Sequence, residues 1–197
     1  MATATSVQNL TATMPSPTVK RVKRMTLEQF WYKYSDREDG FKYELNQGIV
    51  EKTPRRMKIK ELYIADNIRR AFSQTSAYQA GDGLFDEVEI ETLQEQGRRP
   101  DMAYVTKSQL NKGDNRSLPS FVIEVISDTD GINRANNKLG EYFQAEMEVV
   151  WHILPQQKQI YVYTSPIDVK ICQGEMMCSA APAVSDFQMT ANAIFQK

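Results

Sequence analysis

The chain has 197 residues, 41% of them apolar and 25% charged, which is enough for one soluble globular domain with a sizeable core. With 24 Lys and Arg against 25 Asp and Glu the formal net charge is -1, so bulk charge draws it to neither nucleic acid nor membrane and any electrostatic argument must be local. Two unpaired-looking cysteines, Cys172 and Cys178, and a single His152 argue against a disulfide framework and against a multi-histidine metal site; no apolar run approaches a membrane span or a signal sequence, so a reduced, cytoplasmic protein is expected.

Residues 1–24 are rich in Ala, Thr, Ser and Pro and close on Lys20-Arg21-Val22-Lys23-Arg24. This composition predicts a disordered, solvated tail, with a basic nucleic-acid arm as the alternative. Residues 25–197 are expected to form one domain. It opens on Thr26-Leu-Glu-Gln29, a capping-box pattern, followed by Leu27, Phe30, Trp31 and Tyr34 at helical spacing. Phe41 to Leu45, an Asn46-Gln-Gly48 turn and Ile49 to Lys52 predict a hairpin. Glu44 lies inside its first strand, either as a solvent-facing acid or as part of a site.

Leu62, Ala65, Ile68 and Phe72 mark an amphipathic helix over 57–72. Its approach carries Lys52, Arg55, Arg56, Lys58 and Lys60 with no acid between Lys52 and Lys60, so this stretch is either a solvated face or a phosphate-binding patch. Alternation from Phe85 to Leu93 predicts one half-buried strand with Glu87, Glu89 and Glu91 on its acidic face. A Gln94-Glu-Gln-Gly connector leads to a strand starting at Pro100, then a polar loop over 107–117 and a central strand over 121–127. Asp128-Thr129-Asp130 offers caps for a helix whose buried stripe is Ile132, Ala135, Leu139, Tyr142 and Phe143, with Lys138 on its flank. Strands follow at Val149 to Leu154, which holds Trp151 and His152, and at Ile160 to Tyr163. Weaker strands near Val169 to Cys172 and Glu175 to Cys178 precede an amphipathic end from Phe187 to Phe195.

Two acids interrupt stretches that otherwise read as buried. Glu124 stands among Phe121, Val122, Ile123, Val125 and Ile126, and Asp101 follows Pro100 at a strand start. An ionised carboxylate in such a setting is costly unless a cation compensates it. Phosphodiester cleavage by metal-activated water needs carboxylates converging on a divalent ion, a water beside it and a positive group near the phosphate. Mg²⁺ keeps several waters, so two or three acids suffice. Val122 and Ile126 share a face with Glu124, so no lysine stands two positions on and Lys138 is the nearest replacement. The structural alternatives are an ion pair of Glu124 with Arg98, Arg99 or Lys138, a turn role for Asp101 and an ordinary flank role for Lys138.

This arrangement resembles the PD-(D/E)xK nuclease superfamily. It is most similar to the Uma family, a large bacterial group described as putative restriction endonucleases and expanded in cyanobacteria. The motifs run in order from Tyr43-Glu44-Leu45 with Gly48 through Arg99-Pro100-Asp101 and Phe121 to Ser127. They continue through Lys138 to Tyr142, Val150-Trp151 and Tyr161 to Tyr163, so the resemblance covers about Met25 to Phe195. It implies a restriction-endonuclease-like α/β fold, a mixed central sheet flanked by helices, with DNA cleavage dependent on Mg²⁺ or Mn²⁺. Asp101 and Glu124 would be metal ligands, Lys138 the migrated catalytic lysine and Glu44 a supporting acid. Arg55, Arg56, Lys58, Lys60, Arg98 and Arg99 would hold the DNA backbone, and a homodimer would cut both strands. The chain departs from the family pattern at Ile126, where the motif lysine would stand, and at Lys60 or Glu61, where the family often has a helix His. A DNA-binding module without catalysis and an interaction protein with its acids in structural pairs are the competing readings.

Overall fold

The computed structural model describes residues 23–55, 59–113, 117–126 and 132–197. Most of the expected tail and the Asp128 to Asp130 cap lie outside these residues. Helix α1 (Leu27–Tyr34) forms where its capping box predicts: Thr26 accepts from the Gln29 N–H, and Gln29 accepts from the Thr26 N–H. Strands β1 (Phe41–Asn46) and β2 (Ile49–Pro54) make the hairpin, with Gln47 and Gly48 at φ 49° and 77° in its two-residue turn.

Helix α2 (Ile59–Phe72) and the short α3 (Ser76–Gln79) follow. In α2 Ile68 and Phe72 are buried as expected and Ala65 packs partly buried on the core, while Ile64 joins the stripe in place of Leu62, which is exposed. The strand expected over 85–93 is two strands. β3 (Gly83–Asp86) and β4 (Ile90–Leu93) belong to different sheets, and Glu87 at φ 48° turns the chain between them. The expected connector contains β5 (Gln96–Arg98), which turns back on β4 with Glu95 at φ 57°. After β6 (Met102–Val105) the expected loop is instead helix α4 (Lys107–Lys112), capped reciprocally by Thr106 and Gln109 and stopped by Gly113 in the left-handed region. Then come β7 (Phe121–Val125), α5 (Ile132–Gln144), β8 (Val149–Leu154), β9 (Gln159–Tyr163), β10 (Val169–Gln173), β11 (Met177–Ser179), β12 (Gln188–Thr190) and α6 (Ala191–Ile194).

A six-stranded sheet runs β10-β9-β8-β7-β6-β3, and a four-stranded antiparallel sheet runs β2-β1-β5-β4. In the larger sheet only β7 and β8 are parallel, as the crossover through α5 requires. Alternation along β7 divides the core. Phe121 and Ile123 pack with Ile64, Ile68 and Phe72 of α2 and with the C-terminal Phe187 and Ile194. On the other face Val122 packs with Ala103, Val150, and Leu139 and Tyr142 of α5. Glu124 shares that second face, so the acid points toward α5 rather than into the larger core. In the smaller sheet Tyr43 and Leu45 pack on α1, which turns Lys42 and Glu44 the opposite way. Acids from both sheets therefore meet beneath α5.

Candidate active site

The antiparallel pairing of β6 with β7 sets Met102 opposite Ile123. One step further along that register puts Asp101 opposite Glu124 on the same face, where directly opposed Cβ atoms stand about 5 Å apart. Asp101 keeps 33% of its side chain exposed. Its Oδ2 accepts from the Val125 N–H at 2.8 Å, and its Oδ1 receives the Lys42 ammonium at 2.8 Å. Glu124 is buried, and its Oε1 accepts from Tyr142 Oη at 2.6 Å and from Lys138 Nζ at 3.1 Å. Lys138 also reaches Glu44 Oε1 at 2.8 Å. Glu44 is 0% exposed; it accepts the Arg99 N–H at 3.1 Å and pairs with Arg134 Nη2 at 2.9 Å. Glu124, Lys138 and Glu44 are thus joined in one cluster with Tyr142 and Arg134, and the Asp101–Lys42 pair lies beside it along the β6–β7 register.

The electrostatics follow from burial set against pairing. Burial raises the Glu124 carboxyl above its ordinary range, and the Lys138 and Lys42 ammoniums oppose that only in part. Burial would raise Glu44 too, but Lys138 first and then Lys42 outweigh it and hold the acid below the usual carboxylate range. Burial would lower Lys42, yet Asp101, then Glu124 and Glu44, raise it. Tyr142 is pushed well up by burial and by the Glu124 carboxylate, so its hydroxyl remains a donor. His152 lies opposite Glu124 in the β7–β8 register. Burial first, and Lys138 second, lower its pKa to about 4, and its Nε2 is buried without a hydrogen-bond partner.

The basic residues fare differently from the acids. Arg98 is 1% exposed and Arg99 3%. Arg98 binds Glu141 at 2.5 Å and Glu51 at 3.2 Å, while Arg99 binds Glu89 and the carbonyls of Tyr34 and Ser35. Both guanidiniums are consumed inside, so their expected role on the DNA backbone is corrected to one of tying β5 to its surroundings. The third residue of the expected ion-pair alternative, Lys138, is the one that pairs with Glu124. Arg55 pairs with Glu87 at 2.5 Å near the surface. Arg56, Lys58 and the side chains of Lys60 and Glu61 lie outside the described residues.

Reading from sequence missed Lys42, although the signal was present. Lys42 stands two residues before Glu44 on one strand and must share its face. Tyr142, read as part of the apolar stripe, lies one turn after Lys138 and turns its hydroxyl to the same acid. His152 and Arg134 carried no local signal, because only the packing of β8 and α5 brings them in.

A fit to a metal can be judged from these donors. Asp101 and Glu124 supply hard oxygens from adjacent strands, one reachable from solvent and one sheltered, in a field already strong enough to hold two ammoniums. Among the described residues no three His, Cys, Asp or Glu side chains converge on one point. A bound ion would rest on two carboxylates and fill its shell with water, as Mg²⁺ does. The donors fit such an ion.

Comparison with other proteins bears on this geometry. The sequence profile of the Uma2 family, described as "putative restriction endonuclease", matches residues 27–192. The structure of a protein from Anabaena variabilis ATCC 29413 described as a putative nuclease superposes with a TM-score of 0.69 at 15% identity, covering 87% of this chain and 97% of that one. No functionally curated protein matches the chain. The fold is restriction-endonuclease-like, as expected from the sequence. No helix among the described residues is long and apolar enough to cross a membrane.

Proposed function

This chain belongs to the Uma2 family of putative restriction endonucleases, and from that premise we propose that it is a Mg²⁺-dependent endodeoxyribonuclease, with Mn²⁺ as a working substitute. The observation that carries the reading is the meeting of Asp101 and Glu124 on one face of β6 and β7 with an ammonium held beside each. Asp101 and Glu124 would hold the ion. Bound there, it supplies an acidified water and neutralises charge on the phosphate. Tyr142 and Lys138 fix Oε1 of Glu124 by two hydrogen bonds, which orients the carboxylate before any ion arrives. Glu44, itself fixed by Arg134 and the Arg99 N–H, anchors the Lys138 ammonium. DNA approaching from the Asp101 side would meet the half-exposed carboxylate first. Each domain carries one such site, so cutting both strands calls for a twofold dimer.

The test is cleavage of supercoiled plasmid with Mg²⁺ or Mn²⁺, the wild type beside Asp101→Ala and Lys138→Ala. Nicking that requires metal and falls at least about 100-fold in both variants supports the assignment, a loss typical of removing a group that acts only in the transition state. A second reading has an observation of its own. Each carboxylate of the pair already has an internal cation, as a binding module that has lost catalysis would show. Salt-sensitive DNA binding by a wild type that never nicks would favour that module.

A further inference from the structure

The two lysines of the site are held in different ways. Lys138 is rooted on α5 between two buried acids, and its contact with Glu124 falls on the same oxygen, Oε1, that Tyr142 holds. An ion approaching Glu124 can use the other oxygen and leave Lys138 in place. Asp101 offers no such spare atom. Its Oδ2 is engaged by the Val125 N–H, and Oδ1, the oxygen left over, is the one that Lys42 occupies at 2.8 Å. Lys42 comes from β1 of the smaller sheet, whereas Asp101 comes from the larger one. The ammonium therefore ties the two sheets together at the more open acid, from a side chain only 11% exposed.

From this asymmetry we propose that Lys42 occupies the cation position of Asp101 in the metal-free protein, that a divalent ion displaces it, and that the freed ammonium binds a backbone phosphate of the DNA. The inference rests on the nuclease reading for its substrate class. A dication at Asp101 cannot share Oδ1 with an ammonium without strong repulsion. A lysine released there keeps its buried stem and its charge, and the acids that remain near it, Glu124 and Glu44, are already paired with Lys138 and Arg134. A phosphate brought to the metal supplies the missing anion. Lys138 keeps a fixed position throughout, and Lys42 exchanges one partner for another. Metal binding and phosphate binding are thereby coupled through one side chain.

The test compares wild type with Lys42→Met, which keeps the length of the stem and removes the charge. Titration calorimetry with Mn²⁺ and no DNA should show the variant binding roughly tenfold tighter, because no internal cation has to leave. Duplex DNA binding measured with non-catalytic Ca²⁺ should move the opposite way. It should weaken, with the slope of log affinity on log salt reduced by about one phosphate contact. A crystal structure of the wild type with Ca²⁺ should find Lys42 outside ion-pair range of Asp101, and this measurement stands even if the variant folds poorly. Unchanged or weaker Mn²⁺ affinity, or Lys42 still on Asp101 beside a bound ion, overturns the displacement. Unchanged DNA affinity overturns the phosphate role. None of these readings depends on cleavage, so a wild type that fails to nick plasmid counts against the nuclease reading alone.

Discussion

Lys138 holds its ammonium between two buried carboxylates, Glu44 and Glu124, and its removal should be felt in stability as well as in activity. Lys138→Met leaves Glu44 and Glu124 facing each other without their shared cation. Breaking a buried pair from one side costs about 3–5 kcal/mol, so urea melts should show a loss of that size. Asp101→Asn removes the charge of a half-exposed acid but leaves an amide oxygen for the Lys42 ammonium, so it should cost less than Lys138→Met while abolishing nicking. Equal losses of stability in the two variants would contradict the layering of the site. His152 gives a second check. Its pKa falls from 6.5 to about 4 on folding, so the unfolded chain binds the extra proton between those values and stability declines as pH falls through that window. At pH 5 about 2 kcal/mol of the pH 7 stability should be gone on this account. His152→Gln should remove that part of the slope in paired urea melts at the two pH values. Of the four residues read from sequence, Glu124, Lys138 and Glu44 touch one another and Asp101 follows beside them in the strand register, because strand alternation and helical phase determine which way each must point. Lys42 stands two residues before Glu44 in β1 and strand alternation alone puts it on the same face, whereas what Arg134 touches depends on how α5 packs on the smaller sheet, and no local period reports that.

Among the elements, those with a capping or turn signature were readable in advance: α1, the β1–β2 hairpin and the strand–turn–strand of β8 and β9. The stretch 85–93 was not, because its alternation is unbroken in sequence while Glu87 takes a positive φ and sends the two halves to different sheets. The polarity of 107–112 likewise concealed α4, whose Thr106 and Gln109 caps are the signal that was passed over. How the smaller sheet is held beside α1 depends on Gly97 of β5. A Cβ added there would stand 2.7 Å from the Trp31 ring and 3.2 Å from Leu27. Gly97→Ala therefore forces α1 off the sheet that carries Lys42 and Glu44, and should cost about 1–3 kcal/mol, as overpacking does. Gly83→Ala is the control. Its Cβ meets the ring of Phe85, a half-exposed side chain that can swing away, so thermal melts should separate the two variants. Comparable destabilisation would mean that the α1–β5 contact is not the rigid one.

For the molecule as a whole, a net charge of -1 leaves the metal site to supply its own attraction, and that makes ligand-linked stability an informative measurement. An ion bound only by the folded chain stabilises it by about 2.7 kcal/mol at a hundred times its dissociation constant. For a protein of this size that corresponds to a rise in Tm of roughly 5–10 °C. Adding Mn²⁺ to the wild type should produce such a shift, and Asp101→Ala should lose it, since the acid that faces solvent is gone while the buried Glu124–Lys138–Glu44 group remains. Lys42→Met should show a larger shift than the wild type at the same Mn²⁺ concentration, because the folded variant binds the ion more tightly. Three proteins in one titration thus separate three cases. A shift that survives Asp101→Ala places the ion elsewhere, and no shift in any of them leaves the acids as structural partners of their lysines. The graded series, absent in Asp101→Ala, intermediate in the wild type and largest in Lys42→Met, requires that the carboxylate and the lysine act on the same bound cation.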